Sequence, residues 1–217
     1  MPKKRQPAAT RLDDARARMY RDLIFDAAEF IFGQKGFEGA TMQDIASEAG
    51  VSLKTVYVSF PGKSEIYLEI MKVRGQAMSD AVAEARKGAV SPIDRLERGT
   101  RAFVQFFFDH TDWLRIQAQS GQSWSVRPKE ATIAKLWQEG LDAYVAIIRE
   151  GIASGEFCDE DPFELAVLVQ ALTKVQVSQA LASGDVNARG VADRLVDRLL
   201  RLLCIPALAS REALAHK

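Results

Sequence analysis

The segment TMQDIASEAGVSLKTVYVSF, Thr41 to Phe60, reads as two short helices joined by a tight turn. Thr41 can cap the free N–H groups that open the first helix, and Asp44 stands in the third position, where a carboxylate suits the helix dipole. Met42, Ile45 and Ala49 share the inner face of this helix, and Gly50 ends it. Val51 fills the corner, and Ser52 caps a second helix from Leu53 to Ser59. The spacing predicts a helix-turn-helix, the motif that lays its second helix in a DNA major groove.

A helix of about two turns presents few side chains to base edges. Val56 and Phe60 are expected to point inward, which leaves Lys54, Thr55, Tyr57 and Val58 outward. Thr55 can exchange a hydrogen bond with a base edge or lay its methyl on a thymine methyl. Tyr57 offers a hydroxyl to phosphate and a ring to sugar or methyl, and Lys54 reaches phosphate or guanine. Ser52 and Thr41 stand at helix N-termini, where N–H groups and the dipole favour phosphate, and Lys63 adds charge at a third. The competing reading makes Tyr57 an ordinary half-buried aromatic and Lys54 a solvated charge.

Around this segment nearly everything reads as helix. Pro and Gly punctuate the chain, and the alternation of a half-buried strand is absent. The first helix is expected from about Ala15 to Gln34, with an inner stripe of Leu23, Ala27, Phe30 and Ile31 beside Ile24 and Ala28, and Gly36 as its C-cap. Pro61-Gly62 turns the chain into a helix from Lys63 to about Lys87, with Ile66, Ile70 and Val73 on one side. Ser91-Pro92 and Asp161-Pro162 are cap-and-proline starts of later helices. The expected fold is all-α, with about nine helices and no internal repeat. Its divisions are a basic flexible arm over residues 1–14, a helix-turn-helix domain over 15–62, and a second domain over 63–217 whose first helix, 63–87, links the two.

Composition sets the bounds. The 217 residues are 47% hydrophobic and 27% charged, as in a folded globular protein. No apolar run is read as a membrane span, and the basic N-terminus lacks the apolar core of a secretory signal. Cys158 and Cys204 lack metal-type spacing, and two unpaired thiols fit a reducing cytoplasm. Formal net charge is zero. Positive charge is nevertheless local, with Lys3, Lys4, Arg5, Arg11, Arg16, Arg18 and Arg21 crowding the opening segment, as expected if one edge meets phosphate.

From Ala28 to Ile70 the chain resembles the N-terminal domain of the TetR family of bacterial transcriptional repressors. The resemblance rests on FIFGQKGFEGATMQDIASEAGVS, then TVY, then a Phe-Pro-x-Lys start to the fourth helix. It covers roughly the first third of the chain. It implies base or phosphate contact by Thr41, Ser52, Lys54, Thr55, Tyr57 and Lys63. The pattern departs from the family at Lys54, where a small residue is common, and at Val58 and Ser59, where an aromatic or His is common. Those departures bear on the operator sequence.

Beyond Glu69 no nucleophile–base pair, phosphate loop or metal set is apparent, so the chain is not expected to be an enzyme or to need a cofactor. His110 stands at a helix end, where a capping role fits it best. Phe103, Phe106, Phe107 and Phe108 cannot all face one core stripe. They line either a ligand cavity between helices or a wide packing surface. The residues expected to touch an effector are Phe103, Phe107, Trp113, Gln117, Trp137, Tyr144, Gln170 and Thr173. The resemblance implies such a pocket without transferring its residues.

The last two helices carry Leu165, Leu168, Val169 and Leu172 with Val175, then Val191, Leu195, Leu199 and Leu202, beside a second apolar stripe of Val196, Leu200 and Leu203 on the final helix. This surplus is read as a partner surface, and the family resemblance implies a four-helix dimer interface. The alternative buries both stripes inside one subunit. The expected molecule is thus a cytoplasmic homodimer that binds a palindromic double-stranded DNA operator and releases it to a small apolar or aromatic effector, with no membrane partner. The rival is a helical ligand-binding or sensing protein without DNA-binding activity.

Overall fold

The computed structural model describes residues 8–119 and 130–204. The basic residues Lys3, Lys4 and Arg5, the segment Gly121 to Pro128 and the polar tail lie outside them. The described residues form nine helices and no strand: α1 (Ala8–Gly39), α2 (Met42–Glu48), α3 (Leu53–Ser59), α4 (Lys63–Arg86), α5 (Pro92–Asp109), α6 (Thr111–Gln119), α7 (Ala131–Ala153), α8 (Pro162–Ala182) and α9 (Ala188–Leu203). α1 thus starts upstream of the expected Ala15. It is broken at Gly36, whose φ of 72° is the left-handed conformation that suits glycine.

The chain divides into two compact units. The first comprises Met1–Val73 together with Asp112–Ser120, and the second comprises Arg74–Thr111 and Gly121–Lys217. α4 therefore belongs to the first unit at its start and to the second from Arg74 onward, while α6 belongs with the helix-turn-helix.

In the first unit, Ile24, Ala27, Ala28, Ile31 and Phe32 of α1 are buried with Ile45 and Ala46 of α2 and Val56 of α3 where these helices pack together. Ile66 and Ile70 of α4 are buried too, and Tyr67 beside them meets the Phe32 ring. Ala27 and Ile31 of the expected stripe on α1 are buried, as are Ile24 and Ala28 beside it. Leu23 and Phe30 are exposed, as is Val73 on α4. The reason is period: at 3.6 residues per turn, 24, 27, 28 and 31 share a face, and 23 and 30 lie on its rim. α6 is fastened to α1 within this unit. Gln119 donates to the carbonyl of Gly33 at 2.9 Å, and a side chain at Gly33 would press on Asp112 of α6.

In the second unit α5 is the central helix, packed by α9, α7 and α8. Its buried residues Leu96, Gly99, Thr100, Phe103, Val104, Phe106 and Phe107 share one broad face of the helix, so three of the four phenylalanines are taken up by one core face, and Phe108 is half-buried beside it. The rings of Phe103 and Phe107 meet edge-on at 4.9 Å. His110 caps α5 and stacks on Phe106, its Nδ1 lying 2.8 Å from the Phe106 carbonyl.

The interface expectation needs correction here. Leu165, Val169, Leu195 and Leu199 are at most 1% exposed within a single subunit. Where α9 packs on α5 and α8, Val191, Leu195, Val196, Leu199 and Leu203 are core, while Leu200 is half-buried. Leu172 and Leu202 are half-buried. On α8 Phe163, Leu168 and Val175 stand about half exposed, and Leu168 and Val175, two turns apart, share one open apolar face. α8 is also long and apolar enough to cross a membrane by length and composition alone, contrary to the expectation that no stretch is. Its other face is packed on α7 and α9.

Candidate nucleic-acid interface

The helix-turn-helix is built by two caps. Thr41 Oγ1 accepts the Asp44 N–H at 3.0 Å while an Asp44 carboxylate oxygen accepts the Thr41 N–H at 3.1 Å, which closes a capping box. Lys35 pairs with Asp44 at 2.7 Å. The Lys35 ammonium and the Thr41 hydroxyl hold that carboxyl below the usual carboxylate range. The turn between α2 and α3 is closed by Gly50, with φ of 65°, and by the Val51 N–H donating to Ala46 at 3.0 Å. Ser52 Oγ accepts the Thr55 N–H at 3.1 Å and shares a 2.8 Å hydroxyl contact with Thr55 Oγ1.

These caps fix which side of α3 faces out. Val56 and Phe60 are buried, which anchors the helix on α1 and α2. On the opposite side Tyr57 is 52% exposed and Val58 80% exposed. Lys54 is exposed beside them, and Thr55 is half-buried with its hydroxyl on Ser52. Lys54, Tyr57 and Val58 therefore form an outward face with a cation, a phenol and a branched methyl pair. Such a face can meet phosphate, a base edge and a thymine methyl together.

Lys63 is differently placed. Its ammonium donates to the carbonyls of Phe37 at 2.8 Å, Ala40 at 3.2 Å and Glu38 at 3.3 Å, and lies 4.5 Å from the centre of the Phe37 ring. These carbonyls follow the break of α1 at Gly36 and lie at the end of the helical segment that leads into α2, where a cation suits the negative end of a helix. Phe37 in turn packs against Phe32 and Tyr67, with ring centres 5.7 and 5.1 Å away.

Sequence reasoning counted Arg21 with the basic residues of a phosphate-facing edge and missed its structural role. Its guanidinium donates to the Ser59 carbonyl at 3.0 Å, pairs with Glu69 at 3.2 Å and lies 4.1 Å from the centre of the Phe60 ring. It ties α1 to the C-terminal end of α3 and to α4. No local pattern announces this, because Ser59 is 38 positions away.

The residues expected to meet an effector fall into two groups. Phe103, Phe107, Tyr144, Gln170 and Thr173 are buried in the second unit, and Trp137 is half-buried there. Thr173 Oγ1 donates to the Val169 carbonyl of its own helix at 2.7 Å. Trp113 and Gln117 are on α6 in the first unit, with Gln117 reaching Met71 Sδ at 3.9 Å. Among the described residues no group of His, Cys, Asp and Glu is arranged to hold a metal ion.

Comparison with known proteins bears on both units. Residues 24–70 match the family model described as "Bacterial regulatory proteins, tetR family". The uncharacterised helix-turn-helix transcriptional regulator YuxN of Bacillus subtilis is 20% identical over 82% of the chain, and the match spans 60% of that protein's length. Among solved structures, the ketosteroid transcriptional regulator KstR2 of Mycobacterium tuberculosis superposes with a TM-score of 0.74 at 20% identity, covering 85% of this chain and 94% of its own. The regulator FadR of Bacillus subtilis, solved in complex with stearoyl-CoA, gives a TM-score of 0.68 at 18% identity over 82% of this chain and 96% of its own.

Proposed function

The chain belongs to the TetR family of bacterial regulatory proteins, and from that premise we propose that it is a homodimeric transcriptional repressor released from a palindromic DNA operator by a small organic effector. The observation that carries this reading is α3 itself, with Val56 and Phe60 buried and Lys54, Tyr57 and Val58 turned out. Two such helices in a dimer would enter successive major grooves about 34–36 Å apart. Ser52, Thr55 and Thr41 would position the backbone of each half-site, and Lys63 would act chiefly by fixing the end of α1. The open apolar face of α8, around Leu168 and Val175, is the surface we assign to the second copy.

For the effector, the relatives suggest an apolar body. KstR2 is a ketosteroid regulator and FadR holds stearoyl-CoA, and the buried aromatic set of Phe103, Phe107 and Tyr144 on α5 and α7 suits such a body. A ligand in the second unit would act through α4, which starts at Lys63 in the first unit and runs on past Val73. It shifts the DNA-competent population only by its difference in affinity for the two states. Selection of bound fragments from a random DNA pool by the full-length protein tests the reading. A palindromic consensus lost on Tyr57→Ala is expected, and no enrichment at low salt would leave the rival, a ligand-binding protein without DNA-binding activity.

A further inference from the structure

Arg86, in the last turn of α4, is a half-buried guanidinium without an acidic partner among the described residues. Its Nε is shielded from solvent and makes no hydrogen bond. The guanidinium carbon lies 5.2 Å from the centre of the Tyr144 ring. The side chain is laid across α5 at Gly99, where an added Cβ would collide with it. Burial lowers its proton affinity, and the nearby charge of Arg95 acts in the same direction. Arg95, one turn before Gly99, pairs with Glu150 through one edge while its own Nε is buried and unpartnered.

The neighbouring carboxylates are engaged elsewhere. Asp94 pairs with Arg98 and accepts the Val90 N–H, and Glu156 accepts from Ile93 and Ser154. Of the two guanidinium groups only Arg95 has a carboxylate partner, Glu150, which leaves the positive charge of Arg86 uncompensated at a half-buried place. The end of α4 and the Tyr144 ring offset part of that charge, but neither supplies an acceptor for the two orphaned N–H groups. Planar donor forks of this kind match the paired oxygens of a carboxylate or a phosphate.

We propose that Arg86, held by Gly99 and Tyr144 and assisted by Arg95, receives the anionic group of the ligand that the second unit binds. This rests on the effector reading above and narrows it. The ligand carries a carboxylate or phosphate on an apolar body, and a neutral molecule of the same shape binds poorly. Glycine at position 99 is then a cradle, since any side chain there would push the guanidinium away.

The test titrates the full-length protein at constant ionic strength with octanoate, octanoyl-coenzyme A, inorganic phosphate and uncharged octanol, read by calorimetry and thermal melting. The expected result is saturable binding of at least one anionic probe, with octanol at least tenfold weaker. A response to octanoate alone identifies a carboxylate, and a response to the thioester or to phosphate identifies a phosphate. Arg86→Met is expected to lose at least tenfold in affinity with its far-UV circular dichroism unchanged. If that variant does not fold, Gly99→Ala, which keeps the charge and moves it, is expected to show the same loss.

Equal affinity for octanol, no binding of any anion by the wild-type protein, or full affinity in the folded variant would overturn the proposal. A gel shift on the selected operator separates this site from the wider reading. Anion binding that depends on Arg86 but leaves the DNA complex intact keeps the site and removes its regulatory role.

Discussion

Arg21 donates from Nη1 to the carbonyl of Ser59 at 3.0 Å, and this bond fixes the C-terminal end of the recognition helix to α1. A charged donor on a backbone carbonyl contributes about 1.5–3 kcal/mol, whereas the partly exposed pair with Glu69 adds at most about 1 kcal/mol. Arg21→Met should therefore lower the melting temperature of the first unit by several degrees and weaken operator binding. Because Arg21 is turned onto protein groups, the slope of log affinity against log salt should stay at the wild-type value. A slope reduced by about one would mean that Arg21 meets phosphate instead.

The outward face of α3 separates two kinds of contact. Tyr57→Ala should cost about 1–3 kcal/mol in operator affinity and relax preference at particular base positions. Lys54→Ala should weaken binding to all sequences alike and lower the salt slope by about one. Fluorescence anisotropy on the selected operator and on a scrambled duplex, at several salt concentrations, distinguishes the two. Neither change should alter the fold, since both side chains are exposed.

Legibility followed the range of the interactions. Caps act over three or four positions, so Thr41, Ser52, Ser91 and Asp161 could be read as helix starts, and all four are N-caps. The faces of α3 were equally legible, because two turns leave few ways to bury Val56 and Phe60. What failed was the assignment of apolar surplus to neighbours. Leu195 and Leu199 are apolar whether α5 or a second copy covers them, and α5 covers them. Lys63 and Arg21 were opaque for the same reason, their carbonyl partners lying 23 to 38 positions away.

Burial within the subunit gives the dimer a sharp mutational signature. Leu168→Glu with Val175→Glu places charge on an already exposed face of α8, so helical content and melting should change little while the protein becomes monomeric on size-exclusion chromatography. Operator affinity should fall with the loss of the second half-site. Leu195→Asp puts a carboxylate where exposure is 0% and should abolish the cooperative melting transition altogether. If Leu195→Asp gave a folded monomer, the packing of α9 on α5 described above would be wrong.

Lys174 on α8 gives stability a pH dependence. Burial pushes its ammonium down to about 8 from an ordinary value of 10.5. Below pH 8 both the folded and the unfolded chain carry the proton, and the folded state bears the full cost of burying it. Between pH 8 and 10.5 the unfolded chain holds more protons than the folded one, so stability rises with pH across that window. The shift corresponds to at most about 3 kcal/mol, less for the part of the side chain that water still reaches. Lys174→Met removes the charge and keeps most of the stem. It should raise the melting temperature at pH 7 and flatten the profile between pH 8 and 10.5, as followed by urea denaturation at stepped pH. A variant less stable than wild type at pH 7 would show that the Lys174 ammonium contributes more through its contacts than its burial costs.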